Sequence, residues 1–394
     1  MNAASRYQRA LDRIHAWTSG PLDLSSLQLT SLPPIPPEVT ELSCDGNFLT
    51  SLDALTLPAG LQVLDCNYNE LTEIRGPLPA GLRILECVGN RLTDLPVLPE
   101  TLVYLHCGNN ELRSLPVLPP RLRKLWCQKN LLEALPPLPN RLKILTCEKN
   151  NLRSLPEEIP ASLSYLDCSE NCLRHLPRFG NRVTFLECSY NALTELGSPL
   201  PSKLDVLRCD SNQITSLPPL PPLLVELSCH TNRLTSLPVL PKGLILLNCS
   251  YNRIEALPSP LPPRLNELVC ARNNLRVLPE PLPPLRILVA SDNHLSSLPH
   301  SLPEGLDTLQ IAGNDLPPPR PVYDDNPVAY MERLRSLEVA RAAYRCKQFK
   351  EELMAVCWSP DRLDHLFREY PSLQWNHTTQ SYGPLNIITH DEIL

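Results

Sequence analysis

Cysteines at Cys44, Cys66, Cys87, Cys107, Cys127, Cys147, Cys168, Cys188, Cys209, Cys229, Cys249 and Cys270 recur at steps of 20 or 21 residues, with one step of 22. Three places after each stands an asparagine. The asparagines run through fourteen consecutive units, from Asn47 to Asn314, while the cysteine position turns to Ala290 and Ile311 in the last two. Each unit reads LxxLxCxxNxLxxLPxLPxx. An opening unit, LDLSSLQLTSLP, carries Leu24 at the cysteine position and Leu27 where asparagine would stand. A unit this short cannot bury an apolar face alone, so the period overrides the two-domain expectation set by 394 residues and demands stacked coils.

The stretch LRKLWCQ fixes the orientation of each unit. Side chains alternate along a strand, so Leu125 and Cys127 share one face while Lys124, Trp126 and Gln128 take the other. The leucine face returns in every unit and must be the shared interior. Leu24, Ala290 and Ile311 also serve at the cysteine position, so the property required there is a compact apolar side chain. A metal or redox role for the column is the competing reading, because stacked thiols would lie only about 5 Å apart. Disulfide scaffolds are short secreted chains, and no CxxC pair occurs. Thiols so closely spaced argue for a reducing compartment. The asparagine follows the strand, where its amide can donate to and accept from backbone groups of its own and adjacent coils. The LPxLP tail cannot be helical throughout, so a thin convex side of polyproline-like chain is expected behind a concave parallel sheet.

These positions resemble the leucine-rich repeat pattern L-x-x-L-x-L-x-x-N/C-x-L almost place for place, over about residues 21–318. The short unit with its LPxLP tail is most similar to the bacterial effector subclass of YopM and IpaH-type proteins. The resemblance implies an α/β solenoid, a horseshoe of about fifteen short coils. It also implies an asparagine ladder and a protein partner on the concave strands.

The outward columns suggest where that partner would bind. Three places before the cysteine position stand Glu41, Val63, Ile84, Tyr104, Lys124, Ile144, Tyr165, Phe185, Val206, Glu226, Leu246, Glu267, Ile287 and Thr308. From Val63 to Val206, seven of eight are apolar or aromatic. One place before it the middle units give His106, Trp126, Thr146, Asp167, Glu187 and Arg208. Aromatic anchors beside mixed charges have the composition of an interface. The candidate contact residues are therefore Tyr104, His106, Lys124, Trp126, Ile144, Thr146, Tyr165, Asp167, Phe185, Glu187 and Arg208. The plainer alternative is that such residues favour any exposed strand because they pack on cross-strand neighbours.

Open solenoids need caps. Tyr7, Leu11, Ile14 and Trp17 recur at helical spacing, so residues 4–17 read as an amphipathic capping helix within a segment 1–20. Residues 319–394 break the period. After PPPRPVYDDNP, Asn326 and Pro327 form a helix start, a helical segment runs toward Trp358, and Ser359-Pro360 restarts another. The string FKEELMAVCWSPDRLDHL resembles a motif in LxxLxC repeat proteins of large DNA viruses of amoebae and algae. The segment reads as a cap or as a docking element for a second partner.

A formal net charge of −6 gives no electrostatic footprint for nucleic acid or an anionic membrane. The N-terminus lacks the apolar run of a signal peptide, and no stretch approaches the roughly 18 apolar residues of a membrane span. A cytoplasmic protein is expected, in the host-cell cytoplasm if it is viral or an effector. The Asn248-Cys-Ser and Asn376-His-Thr glycosylation triplets would then carry little meaning. The IpaH-type relatives carry a ligase domain with a Cys-x-Asp nucleophile, whereas no cysteine here has Asp two places on. Cys346 and Cys357, with His365 or His390 as base, are nucleophile candidates by composition alone. No HExxH, phosphate-binding glycine loop or GxSxG occurs. The expectation is thus a non-enzymatic protein-binding scaffold without cofactor or metal. The alternative is a substrate-recognition component of a ubiquitin-ligase pathway whose catalysis lies in another chain.

Overall fold

The fold is that of a computed structural model, which describes residues 3–316 apart from 54, 55, 300, 301, 304 and 312. The tail readings at 319–394, with Cys346, Cys357, His365, His390, Asn376 and the FKEELM string, lie outside the described residues. Two compact units divide the chain, the first ending at Val206 and the second beginning at Leu207. Both are built as parallel-sheet solenoids.

Each repeat contributes one strand to the main sheet, of three residues everywhere but in the opening Leu22–Asp23. In Lys124–Trp126 the middle leucine is fully buried and its two neighbours are partly open. Register is strict: Tyr104 pairs with Lys124 and then Lys124 with Ile144, like position on like position. Strands of the first unit succeed one another in sequence order from Leu22–Asp23 to Phe185–Glu187. Those of the second unit do so from Glu226–Ser228 to Thr308–Gln310. The strand Val206–Arg208 falls at the division. Inside, leucine and cysteine columns are sealed: Leu122, Leu125, Cys127 and Leu132 are all 0% exposed. The strand parity read from LRKLWCQ holds.

The asparagines form the expected ladder. Asn130 Nδ2 donates to the carbonyls of Cys107 and Cys127 at 3.0 and 3.1 Å, and its Oδ1 accepts the Leu112 N–H at 3.0 Å. Asn252 repeats the pattern in the second unit with Cys229, Cys249 and Leu234. One amide thus serves the turn of its own coil and that of the coil before it. The turn also requires a left-handed residue two places after the cysteine position. Glycine fills it at Gly46, Gly89 and Gly313, but Ser26, Tyr68, Asn109, Lys129, Lys149, Glu170 and Tyr190 adopt φ of 48–55° in the other units of the first half. Such a conformation costs a non-glycine residue about 1 kcal/mol. Here it aligns Lys129 N–H with the carbonyl of Glu148 at 2.9 Å.

Proline shapes the opposite side. The second proline of LPxLP opens a turn closed by the next buried leucine, as where Leu122 N–H donates to Pro119 O. Two early coils differ, because Asp53 and Arg75 stand where Leu-Pro units have proline. There, without proline's fixed φ, Ser51–Asp53 and Glu73–Arg75 pair as a second, two-stranded parallel sheet. The uniformly polyproline-like convex side expected from the sequence is therefore interrupted there.

The N-terminal helix spans Ala3–Ala16 and packs on the Leu22–Asp23 strand. Ala10 is its fully buried point, with Tyr7, Leu11 and Ile14 half-buried around it. Arg13 donates to the Asp23 and Ser25 carbonyls at 3.1 and 3.3 Å, tying the helix to the first coil.

Asn130→Ala is expected to cost about 1–3 kcal/mol by orphaning buried peptide groups. Hydrogen exchange should show the loss first at Leu112 and in the turn after Cys127. Unchanged protection there would mean the amide is dispensable.

Candidate interaction surface

The two outward columns meet on adjacent strands. Lys124 Nζ lies 5.0 Å from the Tyr104 ring and 5.3 Å from the Trp126 ring, a cation held over two π faces. The His106 and Trp126 rings lie 5.3 Å apart, tilted by 44°. Burial holds His106 below the usual histidine range, so the neutral ring accepts a hydrogen bond from Gln128 Nε2 at 3.1 Å. Further along, the Tyr165 and Phe185 rings stack in parallel at 4.3 Å. Ile144, on the strand between the two groups, is half-buried.

Thr146 differs from its expected place on the open face. It is 8% exposed, and its hydroxyl donates to Gln128 Oε1 at 3.1 Å. A short side chain between larger neighbours sinks below the surface they form. Arg208 belongs to the second unit, where its Nε pairs with Glu226 at 2.6 Å.

Asp167 and Glu187 lead into an acidic edge. Asp167 accepts the Ser169 N–H and hydroxyl at 3.1 and 2.7 Å, and Glu187 accepts the Ser189 N–H at 3.1 Å. Glu148 stands beside Asp167. Burial, reinforced by the hydrogen bond to Asp167 and that residue's charge, pushes the Glu148 carboxyl up to about 8, against the pull of Lys129. The shift favours the protonated form of Glu148 beside Asp167. The columns one place after and four places before the cysteine position were not among the sequence candidates. Gln128 and Glu148 lie in the first, Arg83, Arg123 and Lys143 in the second. Reading those columns at the same period exposes them.

The cysteine column does not offer nucleophiles. Burial pushes the Cys107 and Cys249 thiols up to about 12 and raises Cys127 and Cys147 as well. Cys66 Sγ donates to Glu86 O at 3.3 Å. In the second unit Asp210 accepts the Ser228 hydroxyl at 2.7 Å and the His230 N–H at 2.8 Å, with His230 Nε2 3.5 Å away. The serine proton goes to the carboxylate rather than the imidazole, so this trio lacks the arrangement that activates a nucleophile. Asn248 of the glycosylation triplet is buried and accepts from Ser250. Among the described residues no group of three or more His, Cys, Asp or Glu is placed to hold a metal ion, and no helix is long and apolar enough to cross a membrane.

Neither family models nor curated proteins give a match to the sequence. Solved structures do. YopM, a leucine-rich effector protein from Yersinia pestis, is 32% identical, with 79% of this chain and 92% of that one covered at a TM-score of 0.65. The chain belongs to the leucine-rich repeat proteins. The functional domain of InlJ from Listeria monocytogenes, which includes a cysteine ladder, is 25% identical and covers 74% of this leucine-rich repeat protein and 68% of its own chain, with a TM-score of 0.66. A leucine-rich repeat protein from Leptospira interrogans shares the fold at 24% identity and a TM-score of 0.56, covering 85% of this chain and 96% of its own. Likeness to repeat proteins of this kind suggests a protein-interaction scaffold.

Two outcomes test this geometry. Between the ordinary glutamate value and about 8, folded Glu148 keeps a proton that the unfolded chain has lost, so its contribution to stability falls as pH rises through that window. Glu148→Gln should therefore flatten the melting-temperature profile and exceed the wild type at about pH 9. A variant whose profile tracks the wild type would refute the protonated carboxyl. Secondly, thiol alkylation followed by peptide mapping should label exposed Cys172 long before Cys107 or Cys127, which should react only on unfolding.

Proposed function

We propose that this leucine-rich repeat protein is a non-enzymatic scaffold that holds a partner protein on the open strand face of its first unit. The observation that carries the reading is the grouping of Tyr104, His106, Lys124 and Trp126 on two paired strands, half-open to water, with the Tyr165–Phe185 stack beyond Ile144. Aromatic rings and a cation shared between them present large, stiff contact area at low entropic cost, the profile of binding anchors. Cross-strand packing alone would be satisfied by aliphatic side chains and would not require a lysine between the rings. The likeness to a leucine-rich effector supports the same reading. Asp167 and Glu187 extend the contact, and Thr146 supports Gln128 from below.

The buried thiols fit a reducing, cytoplasmic setting, since oxidation of a packed column would distort the core. In the ubiquitin-pathway alternative the same face selects substrate and residues 319–394 recruit a ligase. Proximity labelling that recovers ligase subunits only when that segment is present would favour it.

Affinity capture with Tyr104→Ala combined with Trp126→Ala provides the test. Partner recovery should drop sharply while the melting temperature stays within about 2 °C of the wild type, because neither ring fills the core. Full recovery by the double variant would overturn the assignment of this face.

A further inference from the structure

Just before each strand of the first unit, a second set of side chains gives the open face a polarity. Arg83, Arg123 and Lys143 stand four places before the cysteine position, and Arg121 and Arg141 six places before it; all five are exposed. Backbone bonds stack their coils: Val103 N–H donates to Arg83 O, Arg123 N–H to Val103 O and Lys143 N–H to Arg123 O, each at 2.8 Å. Arg83, Arg121, Arg123 and Arg141 line a cleft of about 280 Å³ together with Gly81, Thr101 and Val103. A neighbouring cleft of about 360 Å³ shares Arg83, Val103 and Arg123 and reaches Ile84 and Tyr104, with Glu41 at its far side, so the recess runs on to the aromatic strands.

None of these five cations takes part in a salt bridge among the described residues, although Arg91 and Lys149 of the same unit do. Like charges on coils about 5 Å apart repel unless an anion lies among them. Gly81, Thr101 and Val103 leave the space such an anion needs. At the far ends of the first unit's strands, Asp65 and Glu86 stand to one side and Asp167, Glu170 and Glu187 to the other, with Lys129 and Lys149 between them. A long polyanion spreading along the face beyond the cleft would meet those flanking carboxylates and be repelled, whereas a short acidic stretch confined to the cleft would not.

Resting on the protein-binding reading above, we propose that the partner presents an extended acidic peptide segment. Its Asp or Glu side chains lie in the cleft between Arg83, Arg121, Arg123 and Arg141, and an adjacent apolar residue rests on Tyr104 and the Lys124–Trp126 strand. Bidentate guanidinium–carboxylate bonds supply orientation and the aromatic anchors supply contact area.

The test is panning of a random peptide library on the full chain, followed by fluorescence anisotropy with fluorescein-labelled selected peptides. The selected sequences should place Asp or Glu beside an aromatic or aliphatic residue. Their affinity should fall about tenfold in the Arg83→Gln, Arg121→Gln, Arg123→Gln variant, and should weaken with added salt. The variant's melting temperature should stay near the wild type, since the three side chains are exposed. Selected peptides without acidic residues, or acidic peptides that bind the variant as tightly, would overturn the proposal. So would a single-stranded oligonucleotide that outcompetes them. If the library yields no binder while partner capture still depends on Tyr104 and Trp126, the acidic segment is wrong and the protein-binding reading stands. If acidic peptides bind through the arginines but capture ignores Tyr104 and Trp126, the strand-face reading falls instead.

Discussion

A coil of twenty-odd residues must turn its backbone inward after each short strand, and the peptide groups at that turn have no sheet partner. The asparagine amide meets this need with one acceptor and two donated hydrogen bonds, as Asn130 does for Leu112, Cys107 and Cys127. Because the bonds reach into the coil before, the amide also locks the register between coils. Everything outward of the ladder inherits that register. Lys124 can share its charge between Tyr104 and Trp126 only because position repeats on position without slip.

Strict register converts a repeating sequence into columns of side chains at strand spacing, and a column amplifies whatever chemistry it carries. Leucines and thiols in one column make a dry interior in which even a thiol loses its acidity. Arginines in another make a cleft of unpaired charge. Where the columns before and after the thiols meet, burial and the neighbouring Asp167 raise the Glu148 carboxyl. The exposed face of the first unit is therefore patterned, basic where the chain enters the middle strands and aromatic along them, with carboxylates at Glu86 and Asp167 to either side. A partner would be oriented as well as held by such a pattern.

The left-handed residue after each strand shows how the constraint is met without uniform glycine. Lys129 and Lys149 accept an unfavourable φ, and each keeps a long charged side chain at the acidic edge that glycine would remove. Lys129 lowers the Glu148 carboxyl there and Lys149 faces Glu170 at 4.0 Å. Backbone strain at these turns and the electrostatics of the face are thus linked through the same residues.

The sequence by itself determined the fold, the sealed cysteine column and the asparagine ladder, because burial alternates along a strand and a fixed period leaves a single way to stack. It also placed Tyr104, Trp126, Tyr165 and Phe185 on the outer face. Only the tertiary structure decided how those side chains met. The Tyr165–Phe185 stack, the sinking of Thr146 beneath its neighbours and the raised carboxyl of Glu148 beside Asp167 depend on rotamers and on side-chain size across coils about twenty residues apart. The short second sheet at Ser51–Asp53 and Glu73–Arg75 was likewise decided there, since a missing proline lifts a restriction on the backbone without saying what the segment will pair with. A period dictates which residues become neighbours; the contact between two neighbours is settled by the space the rest of the coil leaves them.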